Sequence, residues 1–195
     1  VFCTVNLMRK ITFDIETTSA ASNFDLTSLE MSIVGVHDSL TDEYRAYTVP
    51  ELPALWPIIE SADLLVGYNS DHFDIPILNK YYAGDLTKIR SIDLLSEIKN
   101  VLGKRLKLDT VAKATLGRGK SGHGLDAVAW WAEGNVEKVK KYCLEDVRIT
   151  KEIYDYALLN KKLHYDDFGT KRDIPINSSG WESPRENMLT HTLPF

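Results

Sequence analysis

The chain has 195 residues, enough for one ordinary domain with a real core and a tail. Its 44% hydrophobic and 26% charged residues are the balance of a soluble globular protein, and no stretch is long and apolar enough to span a membrane as a helix. Two distant cysteines, Cys3 and Cys143, and five scattered histidines argue against a disulfide framework and a tetrahedral zinc cluster, and they fit a reducing, cytoplasmic or nucleoid-associated setting.

Residues 1–8 read as an N-terminal extension: the apolar opening is short, has no basic residue before it, and Met8 is a natural start. Residues 9–16 alternate, with Ile11, Phe13 and Ile15 on one side, and predict a strand. Residues 31–36 and 44–49 predict two more strands joined by a polar turn, and residues 51–61 a helix with Pro53 in its first turn. The nearly continuous apolar run 63–68 predicts a strand buried on both faces. A helix from Asp74, a short strand at 90–93, helices at 106–116 and 125–132 around a Gly-rich loop, and a long helix at 136–159 complete the pattern. This order fits an α/β domain over residues 9–163, a five-stranded mixed sheet flanked by helices. Residues 164–195, with Pro175, Ser178-Ser179-Gly180, Pro184 and Pro194, read as an extended arm.

The formal net charge of −5 argues at face value against a nucleic-acid partner. Its distribution does not. Residues 99–120 carry seven basic side chains against one acid, Asp109, and Lys138, Lys140 and Lys141 precede Tyr142. Such runs are equally the mark of a solvated face.

The acids come in pairs. Asp14 and Glu16 lie two apart on a strand, so both leave the same face, opposite Ile11, Phe13 and Ile15. Two carboxylates so placed repel unless a cation lies between them, and a hard divalent ion suits oxygen ligands. Asp74 follows the buried strand, where α/β sheets place ligands, and is also positioned to cap the next helix; Asp71 is the rival carboxylate. Tyr142 and Asp146 are one helical turn apart and share a face. Each pair alone is also what surface acids look like.

Together they resemble the DEDD superfamily of 3′→5′ exonucleases, in its tyrosine-bearing branch, and within it the proofreading exonuclease domain of family-B DNA polymerases. The matching motifs, in order, are Phe13-Asp14-Ile15-Glu16-Thr17, then Asn69 with Phe73-Asp74, then Tyr142 with Asp146. The histidine branch carries His five residues before the last acid, where this chain has Lys141. The resemblance covers roughly residues 9–160. It implies an RNase H-like fold and a two-metal mechanism with Mg²⁺ or Mn²⁺, with Asp14, Glu16, Asp74 and Asp146 as metal ligands and Tyr142 orienting the attacking water. It further implies a single-stranded 3′ end as substrate, DNA favoured over RNA, held near Thr17, Thr18, Asn69 and Phe73.

The loop ending in Gly119-Lys120-Ser121 looks like the end of a P-loop, but it follows a helix and its first glycine falls on Ala114, so triphosphate binding is rejected. Arg118 and Lys120 are instead expected to grip the substrate backbone. Trp130 and Trp131 are read as core, and His72 and His123 as exposed or structural. The last residues, His191 to Phe195, loosely resemble peptides that dock on sliding clamps; packing on the domain is the blander role. A monomer is expected, free-standing or one fragment of a larger assembly. The rivals are a ribonuclease or structure-selective nuclease on the same fold, and a non-catalytic nucleic-acid or clamp-binding module.

Overall fold

The computed structural model describes residues 8–20, 26–120, 122 and 124–183. The N-terminal residues 1–7, His123 and the proposed clamp-docking tail lie outside the described residues.

Five strands form one mixed sheet: β1 (Lys10–Thr17), β2 (Met31–Asp38), β3 (Glu43–Thr48), β4 (Leu64–Gly67) and β5 (Ser91–Asp93). Their order is β3-β2-β1-β4-β5. The β1–β2 and β2–β3 pairs are antiparallel, as short connections allow, whereas β1–β4 and β4–β5 are parallel and need crossovers. The first crossover contains α1 (Leu52–Glu60), and α2 (Asp74–Leu78) follows β4. The long apolar run expected as a strand is β4, with all four residues buried.

Each face of the sheet meets its own layer. Ile11, Phe13 and Ile15 of β1 pack with Leu55 and Ile59 of α1 and Ile77 and Leu78 of α2. Behind the other face, Leu64 and Val66 of β4 pack with α3 (Leu94–Leu102), α4 (Leu108–Leu116) and the C-terminal half of α6 (Val136–Asn160). Toward its N-terminal half, α6 packs Val139, Tyr142 and Cys143 against Ile33 of β2 and Ala127 of α5 (Gly124–Ala132). Close approach of α6 to the sheet requires Gly35 in β2, because a Cβ there would lie 2.9 Å from Cys143 Sγ.

The expected arm is different in kind at its start. Residues Lys162–Asp167 (β6) and Thr170–Pro175 (β7) form an antiparallel hairpin, so a boundary at 163/164 falls inside a strand. Phe168 and Gly169 at its tip both have positive φ, 51° and 83°, which suits the strand twist of a two-residue hairpin turn. Leu163, Ile174 and Ile176 are buried against the α3–α4–α6 layer, and Trp181 stacks on Tyr154 at 5.1 Å between ring centres. The hairpin is hard to read in sequence because its strands are mostly polar, with only Leu163 and His164 of β6 and Ile174 of β7 buried.

Candidate active site

The pleat of β1 aims Asp14 and Glu16 at α6 while their neighbours enter the opposite core. Asp14 is half-buried, and Glu16, Asp74 and Asp146 are each less than a tenth exposed. With Tyr142, these residues line a single cleft of about 490 Å³, together with Thr17, Asn69, Phe73 and Lys120.

Asp74 arrives from the end of β4 through the loop 68–73. Its Oδ1 accepts the Ile15 N–H at 3.0 Å, tying α2 to β1. It makes no capping bond to α2, whose N-cap position is Phe73, so the capping alternative is not realised. The rival Asp71 is exposed and accepts Ser91 Oγ at 2.9 Å, outside the cleft. The loop itself is organised by Asp93, which had no assigned role: it caps α3 through Leu95 N–H at 2.9 Å and also accepts the Asn69 N–H at 2.7 Å. An Asp just before Leu94-Leu95-Ser96-Glu97 is an N-cap signature and was the available signal. Asn69, at φ 66°, turns its Oδ1 to accept from Arg105.

Tyr142 and Asp146 project from one face of α6, with Trp130 edge-on to Tyr142 at 5.8 Å. Trp130 thus packs beside the cleft, half-buried rather than deep in the core. Lys120 Nζ forms an ion pair with Asp146 Oδ2. Its backbone is held by Asp109, the lone acid of the basic run, which accepts the Lys120 N–H at 2.9 Å. A Cβ at Gly119 would lie 2.2 Å from Asp109 Oδ1, so a side chain there would displace the carboxylate that holds the Lys120 backbone.

Two expected substrate contacts are not brought into the cleft. The Thr18 N–H is already donated to Glu30 O at 2.9 Å, so it is not available to a nucleotide. Arg118 pairs with Glu152 and lines a separate groove with Lys140, Lys141 and Arg148. Leu125 and Val128 of α5, unassigned from sequence, line the cleft instead. His72 is exposed, as expected.

The electrostatics follow from crowding. Burial, with Asp146, Asp74 and Glu16 nearby, holds the Asp14 carboxyl well above its ordinary range. Burial and Asp146 push Glu16 up to about 8, and burial pushes Asp74 up to about 7 against the opposing Ile15 hydrogen bond. The ion pair is one-sided. Burial raises Asp146 despite Lys120, whereas Lys120 is held charged, above its ordinary value, because Asp146 and Asp14 outweigh its own burial. One ammonium does not balance four carboxylates. Asp146 Oδ1 and Tyr142 Oη are buried without a hydrogen-bond partner among the described residues. Crowded, reluctantly ionised oxygens with unused lone pairs are the donor set of a hard divalent cation, and these residues fit one.

A family model described as RNase_H_2, of the RNase_H superfamily, matches residues 11–158. No curated protein sequence matches the chain. Among solved structures, the family B DNA polymerase from the hyperthermophilic archaeon Pyrobaculum calidifontis is similar with a TM-score of 0.61, at 19% identity over 77% of this chain and 24% of that one. The chain thus spans about a quarter of that polymerase, and at this identity the likeness concerns the fold. With the family match running from β1 almost to the end of α6, across the whole five-stranded sheet, the chain belongs to the RNase_H superfamily and has an RNase H-like fold.

Proposed function

We propose that the chain is a metal-dependent 3′→5′ exonuclease of the tyrosine-bearing DEDD type, acting on single-stranded DNA and releasing nucleoside 5′-monophosphates. The observation that carries this reading is the convergence of Asp14, Glu16, Asp74, Asp146 and Tyr142 on one cleft from three separate elements. A binding module has no need to bury four mutually repelling carboxylates.

Asp14, Glu16 and Asp146 would hold one Mg²⁺ or Mn²⁺, with Asp14 shared and Asp74 serving a second. Such ions supply an activated water and neutralise charge building on the phosphoryl oxygens. The protein's part is positioning. Ile15 N–H fixes the Asp74 carboxylate, and Tyr142 Oη, without a hydrogen-bond partner among the described residues, is available to orient a water. Burial pushes the Tyr142 phenol above its ordinary pKa, so it acts as a hydrogen-bond donor rather than as a base. Lys120, paired with Asp146 in the cleft, would be free to meet a substrate phosphate if a cation took over that carboxylate. Phe73 and Leu125 line the cleft as apolar surface for a terminal base.

The test uses 5′-labelled single-stranded DNA and RNA with free or phosphate-blocked 3′ ends, in Mg²⁺, Mn²⁺ or EDTA. The expected result is a ladder shortening from free 3′ ends of DNA, absent in EDTA and absent on blocked strands. Internal cuts on blocked strands would refute the exonuclease reading; preferential digestion of RNA would reassign the substrate.

A further inference from the structure

The carboxylates have a neighbour that hard-metal chemistry does not use. Cys143 is fully buried on α6, one residue beyond Tyr142 and facing β1. Its Sγ lies 3.4 Å from the Asp14 carbonyl and 3.9 Å from Asp14 Oδ2. Ligand atoms of Asp14, Glu16 and Cys143 all lie within 4.8 Å of one another.

Geometry allows one ion to touch both kinds of atom. At a tetrahedral angle, zinc-like bonds of about 2.3 Å to sulfur and 2.0–2.2 Å to oxygen set an S···O separation of about 3.6 Å. The observed 3.9 Å between Cys143 Sγ and Asp14 Oδ2 is a few tenths of an ångström longer, within the reach of side-chain rotation. The sulfur is also fixed in place: α6 presses it onto Gly35, leaving no room for even a methyl group between them. Independently, Asp146 Oδ1 and Tyr142 Oη are buried without hydrogen-bond partners among the described residues, and both residues line the cleft with Asp14 and Glu16.

We infer that Cys143 makes this a site with two metal personalities: a hard ion is held by carboxylates alone, whereas a soft divalent ion such as Cd²⁺ or Zn²⁺ also takes Cys143 Sγ beside Asp14 and Glu16. Thiolate selects soft ions, and carboxylate and water select hard ones. Forming the metal–sulfur bond displaces the thiol proton to solvent, so each soft ion bound through Cys143 releases one proton from it. The complex removes Asp14 and Glu16 from use by Mg²⁺ or Mn²⁺ and is inhibitory. The inhibition, but not the soft-ion site, rests on the proposed nuclease reading.

The experiment is a Cd²⁺ titration of the full chain carrying Cys3→Ser, followed by the ultraviolet sulfur-to-cadmium charge-transfer band. Mn²⁺ binding is measured in parallel by electron paramagnetic resonance. The expected result is a band of one-thiolate amplitude, lost in both Cys143→Ser and Cys143→Ala. Cd²⁺ affinity should fall about tenfold or more in those variants. Mn²⁺ affinity should stay within about twofold, because hard ions do not recruit the sulfur. Mn²⁺ binding without a Cd²⁺ band, or a band that survives both substitutions, would overturn the inference. A Cd²⁺ band without Mn²⁺ binding would uphold the soft-ion site and overturn both its hard-ion counterpart and the hard-metal reading, so the soft-ion site and the nuclease reading fail separately.

Discussion

The two faces of β1 are one strand under opposite rules. On one, Ile11, Phe13 and Ile15 are buried among the apolar side chains of α1 and α2. On the other, Asp14 and Glu16 are pressed toward α6, where burial and mutual repulsion disfavour their charged forms. The first face gains stability from every apolar contact. The second surrenders some of it, holding groups in a protonation state that water would not choose. Residues one position apart therefore differ in which of their properties, packing or charge, the molecule depends on.

The largest effects should separate the faces completely. Phe13→Ala is expected to cost about 3–5 kcal/mol, as an aromatic removed from a packed core does, measured by urea denaturation. On the proposed function, Asp14→Asn should lower turnover by roughly a thousandfold or more. It should nevertheless raise the melting temperature in EDTA at pH 8, because it deletes a reluctant charge. A destabilised Asp14→Asn would mean that this carboxylate is structural and would break the contrast.

The same contrast has a pH signature. Glu16 moves from 4.5 to about 8 on folding and Asp74 from 3.8 to about 7. Between these values the folded chain binds more protons than the unfolded one, so stability must fall as pH rises. The contribution is fully present below about pH 4 and is lost by about pH 8. Metal-free protein should therefore melt at progressively lower temperature from pH 5 to pH 8, relative to Glu16→Gln, which lacks one of these groups, measured alongside it. Saturating Mn²⁺ should flatten the slope by supplying the missing positive charge. A metal-free wild-type slope equal to that of the variant would show that the cluster is not under strain.

How much of this could be read beforehand depends on distance along the chain. The strand pattern of β1 and the one-turn spacing of Tyr142 and Asp146 are local, and period alone reveals which side chains share a face. The five-stranded mixed sheet followed from the order of such segments. What could not be read needed long-range contacts: Lys120 meeting Asp146 across a loop and a helix, Asp93 reaching back to Asn69, and Cys143 arriving under Asp14. The β6–β7 hairpin was missed for another reason. Its outward residues are charged and its inward face is supplied by few apolar side chains, so no alternation stands out.

Tyr142 tests the boundary between the faces, being packed like a core residue yet carrying a hydroxyl with no hydrogen-bond partner among the described residues. Tyr142→Phe removes only that oxygen. Stability should hold or rise slightly, since a buried hydroxyl without a partner costs free energy. Turnover should fall by about 10–100-fold with KM little changed, the mark of an interaction made in the transition state. Equal losses in stability and turnover would make the hydroxyl a structural group.

The smallest expected effect concerns two cations two residues apart. Lys120 sits among the carboxylates, whereas Arg118 pairs with Glu152 at the surface, where an ion pair contributes little. Lys120→Ala removes an ammonium set against four acids, so it should lower stability near pH 8, opposite in sign to Asp14→Asn. If Lys120 meets a phosphate, its loss should also reduce the salt slope of DNA binding by about one unit. Arg118→Ala should leave stability unchanged and weaken binding by less than about twofold, because its charge is already engaged outside the cleft. An Arg118→Ala variant that flattened the salt slope as much as Lys120→Ala would mean that bound DNA extends from the cleft onto the groove of Lys140, Lys141 and Arg148, and that the nucleic-acid path is wider than the carboxylate site.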